Sequence, residues 1–66
     1  MTGQHGTIMQ IDLRRQCGTI RGDDQRERPF KRDEMVAWMQ FLELKPGDRV
    51  RYDVEGEAAI NVERGA

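Results

Sequence analysis

Short alternating segments punctuated by turn residues predict an all-β protein: a five-stranded barrel with one short helical connector between strands 3 and 4. Three observations carry the prediction. Arg49 to Glu55 places Val50, Tyr52 and Val54 on one parity and Arg49, Arg51, Asp53 and Glu55 on the other, the period of two of a half-buried strand. Turn residues recur at Gly22-Asp23-Asp24-Gln25, Lys45-Pro46-Gly47-Asp48 and Gly56-Glu57. Strands as short as those between them leave unpaired edges unless the sheet closes on itself.

Taken in order, Met1 to His5 reads as a frayed end or the lead into a strand. Thr7 to Leu13 is the first strand. Its apolar residues Ile8, Met9, Ile11 and Leu13 fall on both parities, as expected where a strand bends and both faces are partly covered. Arg14-Arg15-Gln16 connects it to a second strand, Cys17 to Arg21, with Ile20 in the core. Gly18 in mid-strand marks a bulge or a close backbone approach. The third strand, Glu27 to Lys31, is short and polar with Phe30 inward, and Pro29, which cannot donate to a ladder, puts it at a sheet edge or points its missing donor to solvent. In Asp33 to Leu44, Met35, Trp38, Met39 and Leu42 recur at i, i+3, i+4 and i+7, a helical stripe that a short helix capped by Asp33 would bury. The Pro46 and Gly47 positions fit a type II turn. Strands Arg49 to Glu55 and Ala58 to Glu63 follow, the latter with Ile60 and Val62 inward, and Arg64-Gly65-Ala66 is a tail. The expected core is Ile8, Ile20, Phe30, Val50, Tyr52, Val54, Ile60 and Val62.

Sixty-six residues allow one domain, spanning 1–66, with a marginal core and no deep cleft for a small-molecule substrate. A single cysteine excludes an intrachain disulfide and makes a reducing cytoplasm the expected location. No apolar run reaches the roughly 18 residues of a membrane span, and the first residues lack the basic and apolar regions of a signal peptide. The net charge of −1 conceals an uneven layout. Residues 14–32 hold seven basic side chains (Arg14, Arg15, Arg21, Arg26, Arg28, Lys31, Arg32) against three acidic ones. Residues 33–66 hold four basic and eight acidic ones, so a cationic face can oppose an anionic one.

Catalytic chemistry finds no footing. His5 is the only histidine and, with a single cysteine, leaves a transition-metal site short of soft ligands; no metal and no cofactor is expected. Cys17 has basic neighbours of the kind that activate a thiolate, yet the only histidine is remote in sequence, and an isolated cysteine in a small barrel is ordinarily inert. Asp23 and Asp24 are adjacent turn aspartates in a basic segment, most simply solvated or paired with arginines. No phosphate-cradling glycine loop is present. The chain is not expected to be an enzyme.

In order and spacing, several short motifs resemble the cold-shock domain, the small oligonucleotide-binding (OB-fold) barrel of bacterial cold-shock proteins. Gly6-Thr7-Ile8 resembles that family's opening Gly-x-Val, and Gly18-x-Ile20 the close of its first ribonucleoprotein motif, Lys-Gly-Phe-Gly-Phe-Ile. Arg28-Pro29-Phe30-Lys31-Arg32 occupies the place of its second, Val-Phe-Val-His-Phe. Phe41-Leu42-Glu43-Leu44 looks like the family's Phe-x-x-Leu. Leu44-x-x-Gly47-x-x-Val50-x-Tyr52-x-Val54 is similar to the approach to its fourth strand, and Ala59-x-Asn61-Val62 to its Ala-x-Asn-Val ending. The resemblance covers nearly the whole chain and implies an OB-fold barrel that binds single-stranded DNA or RNA.

The departures fall on the binding surface. Family members stack bases on exposed aromatics, each worth roughly 1–3 kcal/mol. Here Gln10 and Ile11 replace the first-strand tryptophan and phenylalanine, Cys17 and Thr19 the phenylalanines of the first motif, and Pro29, Lys31 and Arg32 the aromatic residues of the second. Phe41 alone remains of the platform, with Trp38 nearby. Arg28 stands where an inward valine is expected, which implies a splayed third strand or a buried stem with a snorkelling head group. The expected function is therefore weak, largely non-sequence-specific binding of single-stranded nucleic acid through Arg14, Arg15, Arg21, Lys31, Arg32 and Phe41. The alternative is a protein-interaction or regulatory module that kept the barrel and lost the platform. Trp38, Met39 and Phe41 would then contact a protein partner, since tryptophan and methionine are favoured at such sites.

Overall fold

The computed structural model describes residues 3–65. Its strands are β1 (Gln4–Asp12), β2 (Cys17–Gly22), β3 (Glu27–Lys31), β4 (Arg49–Glu55) and β5 (Ala58–Arg64). Two short 3-10 helices, α1 (Arg32–Glu34) and α2 (Trp38–Glu43), occupy the link from β3 to β4. The five strands form one antiparallel sheet in the order β3-β2-β1-β4-β5. The sheet is not closed into a barrel. Its two edge strands, β3 and β5, come close to each other without a ladder between them. A single parallel bridge, Met35 to Val62, with the Val36 N–H donating to the Val62 carbonyl at 2.8 Å, joins β5 to the segment just after β3.

Proline explains which strand sits at the edge. Pro29 pairs with Thr19 on the only side of β3 that carries a ladder, and its missing N–H costs no hydrogen bond on the other. Gly18 marks a close approach. A methyl group there would fall 2.7 Å from the Gln10 carbonyl oxygen and 2.8 Å from the Phe30 ring, so only a bare Cα lets β1 and the inward ring of β3 meet across β2. Lys45-Pro46-Gly47-Asp48 turns as expected. Gly47 has φ +98, the Asp48 N–H donates to the Lys45 carbonyl at 3.1 Å, and the Asp48 carboxylate accepts from the Lys45 N–H at 3.1 Å.

Two bulges account for the mixed parities. In β1 the pairing passes from Ile8 opposite Ile20 to Gln10 opposite Thr19, leaving Met9 as an extra residue in the ladder. Ile8 is therefore buried and Ile11 packs against the core, while Met9 and Leu13 are exposed. In β5 the register shifts near Asn61, whose φ of +51 is left-handed. Ala59 and Val62 both point inward as a result, and Ile60, expected in the core, is only half-buried. Val54 is likewise partly buried at the margin.

The core comprises Ile8, Ile20, Phe30, Met35, Phe41, Leu44, Val50, Tyr52, Ala59 and Val62. The connector corrects the expected helical stripe. It turns as 3-10 rather than α, with the Gln40 N–H donating to Ala37 and the Leu44 N–H to Phe41, and Asp33 caps neither turn by its side chain. With three residues per turn, Phe41 and Leu44 share a face and both are buried. The stripe of period 3.6 finds no single face in this geometry, so of its members only Met35 is buried while Trp38, Met39 and Leu42 lie in water. The first and last strands are longer than expected. β1 starts at Gln4, with His5 opposite Arg51, and β5 runs to Arg64, with the Gly65 N–H donating to Arg49. The parts of the expected frayed lead and tail at positions 1, 2 and 66 lie outside the described residues.

Candidate nucleic-acid interface

The ladders among β1, β2 and β3 set Cys17 beside Lys31, Thr19 beside Pro29 and Gln10, and Arg21 beside Glu27. Gln10, Pro29 and Lys31 are exposed and Cys17 and Thr19 half-buried, so no exposed phenylalanine, tyrosine or tryptophan lies on these three strands. Ile11 turns toward the core rather than offering itself outward.

The basic residues of this region gather at one end of the sheet. Asp12 closes the β1–β2 turn: one carboxylate oxygen accepts the backbone N–H groups of Arg14 and Arg15, each at 3.0 Å. The Arg32 N–H donates to the Gln16 carbonyl at 2.9 Å, which fastens that turn to the exit of β3. Arg15, Gln16, Cys17, Lys31, Arg32 and Asp33 line a shallow surface cleft of about 210 Å³. The Arg32 guanidinium carbon sits 4.4 Å from the centre of the Trp38 ring, a cation–π contact. Of the five cations expected to act together, Arg15, Lys31 and Arg32 share the cleft and Arg14 lies on the adjoining turn. Arg21 stands apart near the other end of β2, 3.1 Å from the Glu27 carboxylate.

Most of the arginines outside this end are paired, Arg26 and Lys45 being the cations there with no carboxylate oxygen within 4.0 Å among the described residues. Arg49 pairs with Asp23, Arg51 with Glu63, Arg64 with Glu43 at 3.1 Å, and Arg28 with Asp24 at 3.6 Å. Arg14, Lys31 and Arg32 have no carboxylate oxygen within 4.0 Å among the described residues, and Arg15 reaches Asp12 only at 4.0 Å. Asp33 is the one acidic side chain in the cleft lining. Charge left without a neighbouring counter-charge is what an anionic ligand can neutralise.

Phe41 requires a correction. It is wholly buried, with its ring edge-on to Phe30 at 6.2 Å between centroids, and so presents no face to a base or a partner. Trp38 and Met39 are exposed, at 55% and 66%. Val36, not singled out from the sequence, and Leu42, expected to be buried in the helical stripe, are exposed in the same segment. The exposure of Leu42 follows from the 3-10 geometry of Trp38–Glu43, while Val36 lies between the two 3-10 turns and no spacing rule marks it.

Arg28 keeps its place in the β2–β3 ladder opposite Ile20, so the strand is not splayed. Its stem is buried, the side chain being only 12% exposed, and its head group reaches Asp24 while Nε is buried without a partner. The neighbouring Tyr52 hydroxyl lies where Gly22 leaves room, 2.5 Å from the position a Cβ would take. Burial pushes the Tyr52 phenol above its ordinary range; the Asp24 charge adds to the shift and Arg28 opposes it.

Among the described residues no group of three histidine, cysteine, aspartate or glutamate side chains gathers as metal ligands, and no helix is long and apolar enough to cross a membrane. No protein-family model matches the chain, and no curated protein matches it.

Proposed function

We propose that the protein is a divergent cold-shock-like, OB-fold binding protein, rather than an enzyme, that holds single-stranded DNA or RNA weakly and with little sequence preference. The strand order β3-β2-β1-β4-β5, the approach of β3 to β5 and the Met35–Val62 bridge support reading the sheet as a near-closed OB-fold barrel. A reducing cytoplasm suits the free Cys17 beside the proposed interface.

The observation that carries this reading is the contrast in pairing. The strand arginines Arg21, Arg28, Arg49, Arg51 and Arg64 are matched to carboxylates, whereas Arg14, Lys31 and Arg32 have none within 4.0 Å among the described residues and gather around one cleft with Arg15, which meets Asp12 only at 4.0 Å. Such cations bind phosphates wherever these lie along a strand, and Gln10, Cys17, Thr19 and Pro29 supply no rings on the sheet to rank bases.

The test is a titration with a single-stranded oligonucleotide at two salt concentrations. Three to four phosphate contacts give a slope near −2 to −3, so affinity should fall roughly twenty- to fifty-fold between about 50 and 200 mM salt. Absence of binding at the lower salt would reject the reading. A second reading, a protein-interaction module, is favoured by the exposed Val36, Trp38, Met39 and Leu42 and would take its place.

A further inference from the structure

We infer that Trp38, held by Arg32, is a base-stacking subsite: the aromatic contact missing from the sheet has moved onto the connector. The inference rests on the nucleic-acid reading above and names where a base goes once the phosphates are engaged.

Three observations converge on this pair. Trp38 is 55% exposed although the Arg32 guanidinium covers one face of its ring, so the open face is the opposite one. The same Arg32 lines the cleft with Arg15 and Lys31, which puts the ring within one side chain's reach of the phosphate-binding cations. Lys31 and Arg32 have no carboxylate oxygen within 4.0 Å among the described residues and Arg15 meets Asp12 only at 4.0 Å, so three cations against the one acid of the lining, Asp33, leave a positive excess that suits a polyanion. Stacking on an indole face is tolerant of sequence, because every base has a π face, and a guanidinium behind the ring adds its own attraction. A base on the open face of Trp38 thus becomes the outer layer of a base–indole–guanidinium stack, with its backbone turned toward Lys31 and Arg15.

Trp38 is the only tryptophan in the chain, so its fluorescence reports on the subsite directly. The probes are an oligothymidylate and an abasic oligodeoxynucleotide of the same length, which carries the phosphates without the bases. Oligothymidylate should bind more tightly than the abasic strand and quench Trp38. Trp38→Ala should weaken oligothymidylate binding roughly five- to 140-fold and erase its advantage over the abasic strand, with the salt slope unchanged. Trp38→Phe, which keeps a ring, should retain most of the affinity. If the two probes bind equally and leave Trp38 unquenched, this inference falls while the phosphate-binding function stands. If neither probe binds at low salt, both fall. Should Trp38→Ala leave oligonucleotide affinity intact and instead dissociate a homodimer, the ring is an interface residue and the subsite is refuted.

Discussion

Arg49 and Asp23, 26 residues apart in the chain, form a two-armed ion pair: Nη1 lies 2.9 Å from Oδ1 and Nη2 3.0 Å from Oδ2. Nη1 also donates to the Thr7 hydroxyl at 3.1 Å, so one guanidinium ties the β2–β3 turn to the start of β4 and the middle of β1.

The pair has an acid signature. Hydrogen bonds from Arg49, assisted by its charge, hold the Asp23 carboxyl below its ordinary value of 3.8. A folded value below the unfolded one stabilises the fold above the unfolded value and loses that contribution as pH falls through the folded value. Thermal midpoints followed from about pH 6 down to about pH 2 should show a drop that Asp23→Asn makes shallower. An identical pH profile for the variant would show that the pair does not couple to folding.

Tyr52 sets the alkaline limit. Its phenol is pushed above its ordinary value of 10.0, first by burial and then by the Asp24 charge. Because the folded value is the higher one, the stabilisation is complete below pH 10 and is lost as pH rises through the folded value. As Tyr52 is the only tyrosine, tyrosinate absorbance should appear only together with alkaline unfolding. Tyr52→Phe should flatten the alkaline limb of the stability curve. Tyrosinate appearing at ordinary pH in a still-folded protein would contradict its burial.

The connector is tested by two neighbouring substitutions. Phe41→Ala removes a wholly buried ring packed edge-on against Phe30 and should cost about 3–5 kcal/mol. A chain of this size has a net stability of only about 3–10 kcal/mol, so that variant should be largely unfolded or close to it. Leu42→Ala, at an exposed position, should stay within about 0.5 kcal/mol of the parent in urea unfolding. The reverse order would mean that the connector turns as an α-helix with Leu42 inward.

Much of this sheet is readable from residue order because local rules and tertiary packing agree there. Val50 and Tyr52 alternate into the core as written, Pro29 marks the edge strand, and Pro46-Gly47 marks its turn. What is not readable depends on single-residue slips. The bulge at Asn61 moves Ile60 off the core face, and nothing in Ala58 to Glu63 announces a left-handed asparagine. The 3-10 period of the connector buries Phe41, which the site assignment placed at the surface, and exposes Trp38, which the helical stripe placed in the core. The contact of Arg32 with Trp38 depends on how two short turns are set against each other, which no spacing rule encodes.

The role of the basic cleft is decided most directly by the salt slope of the Lys31→Ala/Arg32→Ala double variant. Both side chains line the cleft and neither has a carboxylate within 4.0 Å among the described residues, so their removal should leave the fold intact. If they neutralise phosphates, affinity for single-stranded DNA should fall and the slope of log affinity against log salt should become shallower by about 1.4, or about 0.7 for each phosphate no longer neutralised. A variant that binds as tightly as the parent, with an unchanged slope from about 50 to 200 mM salt, would contradict nucleic-acid binding through this cleft.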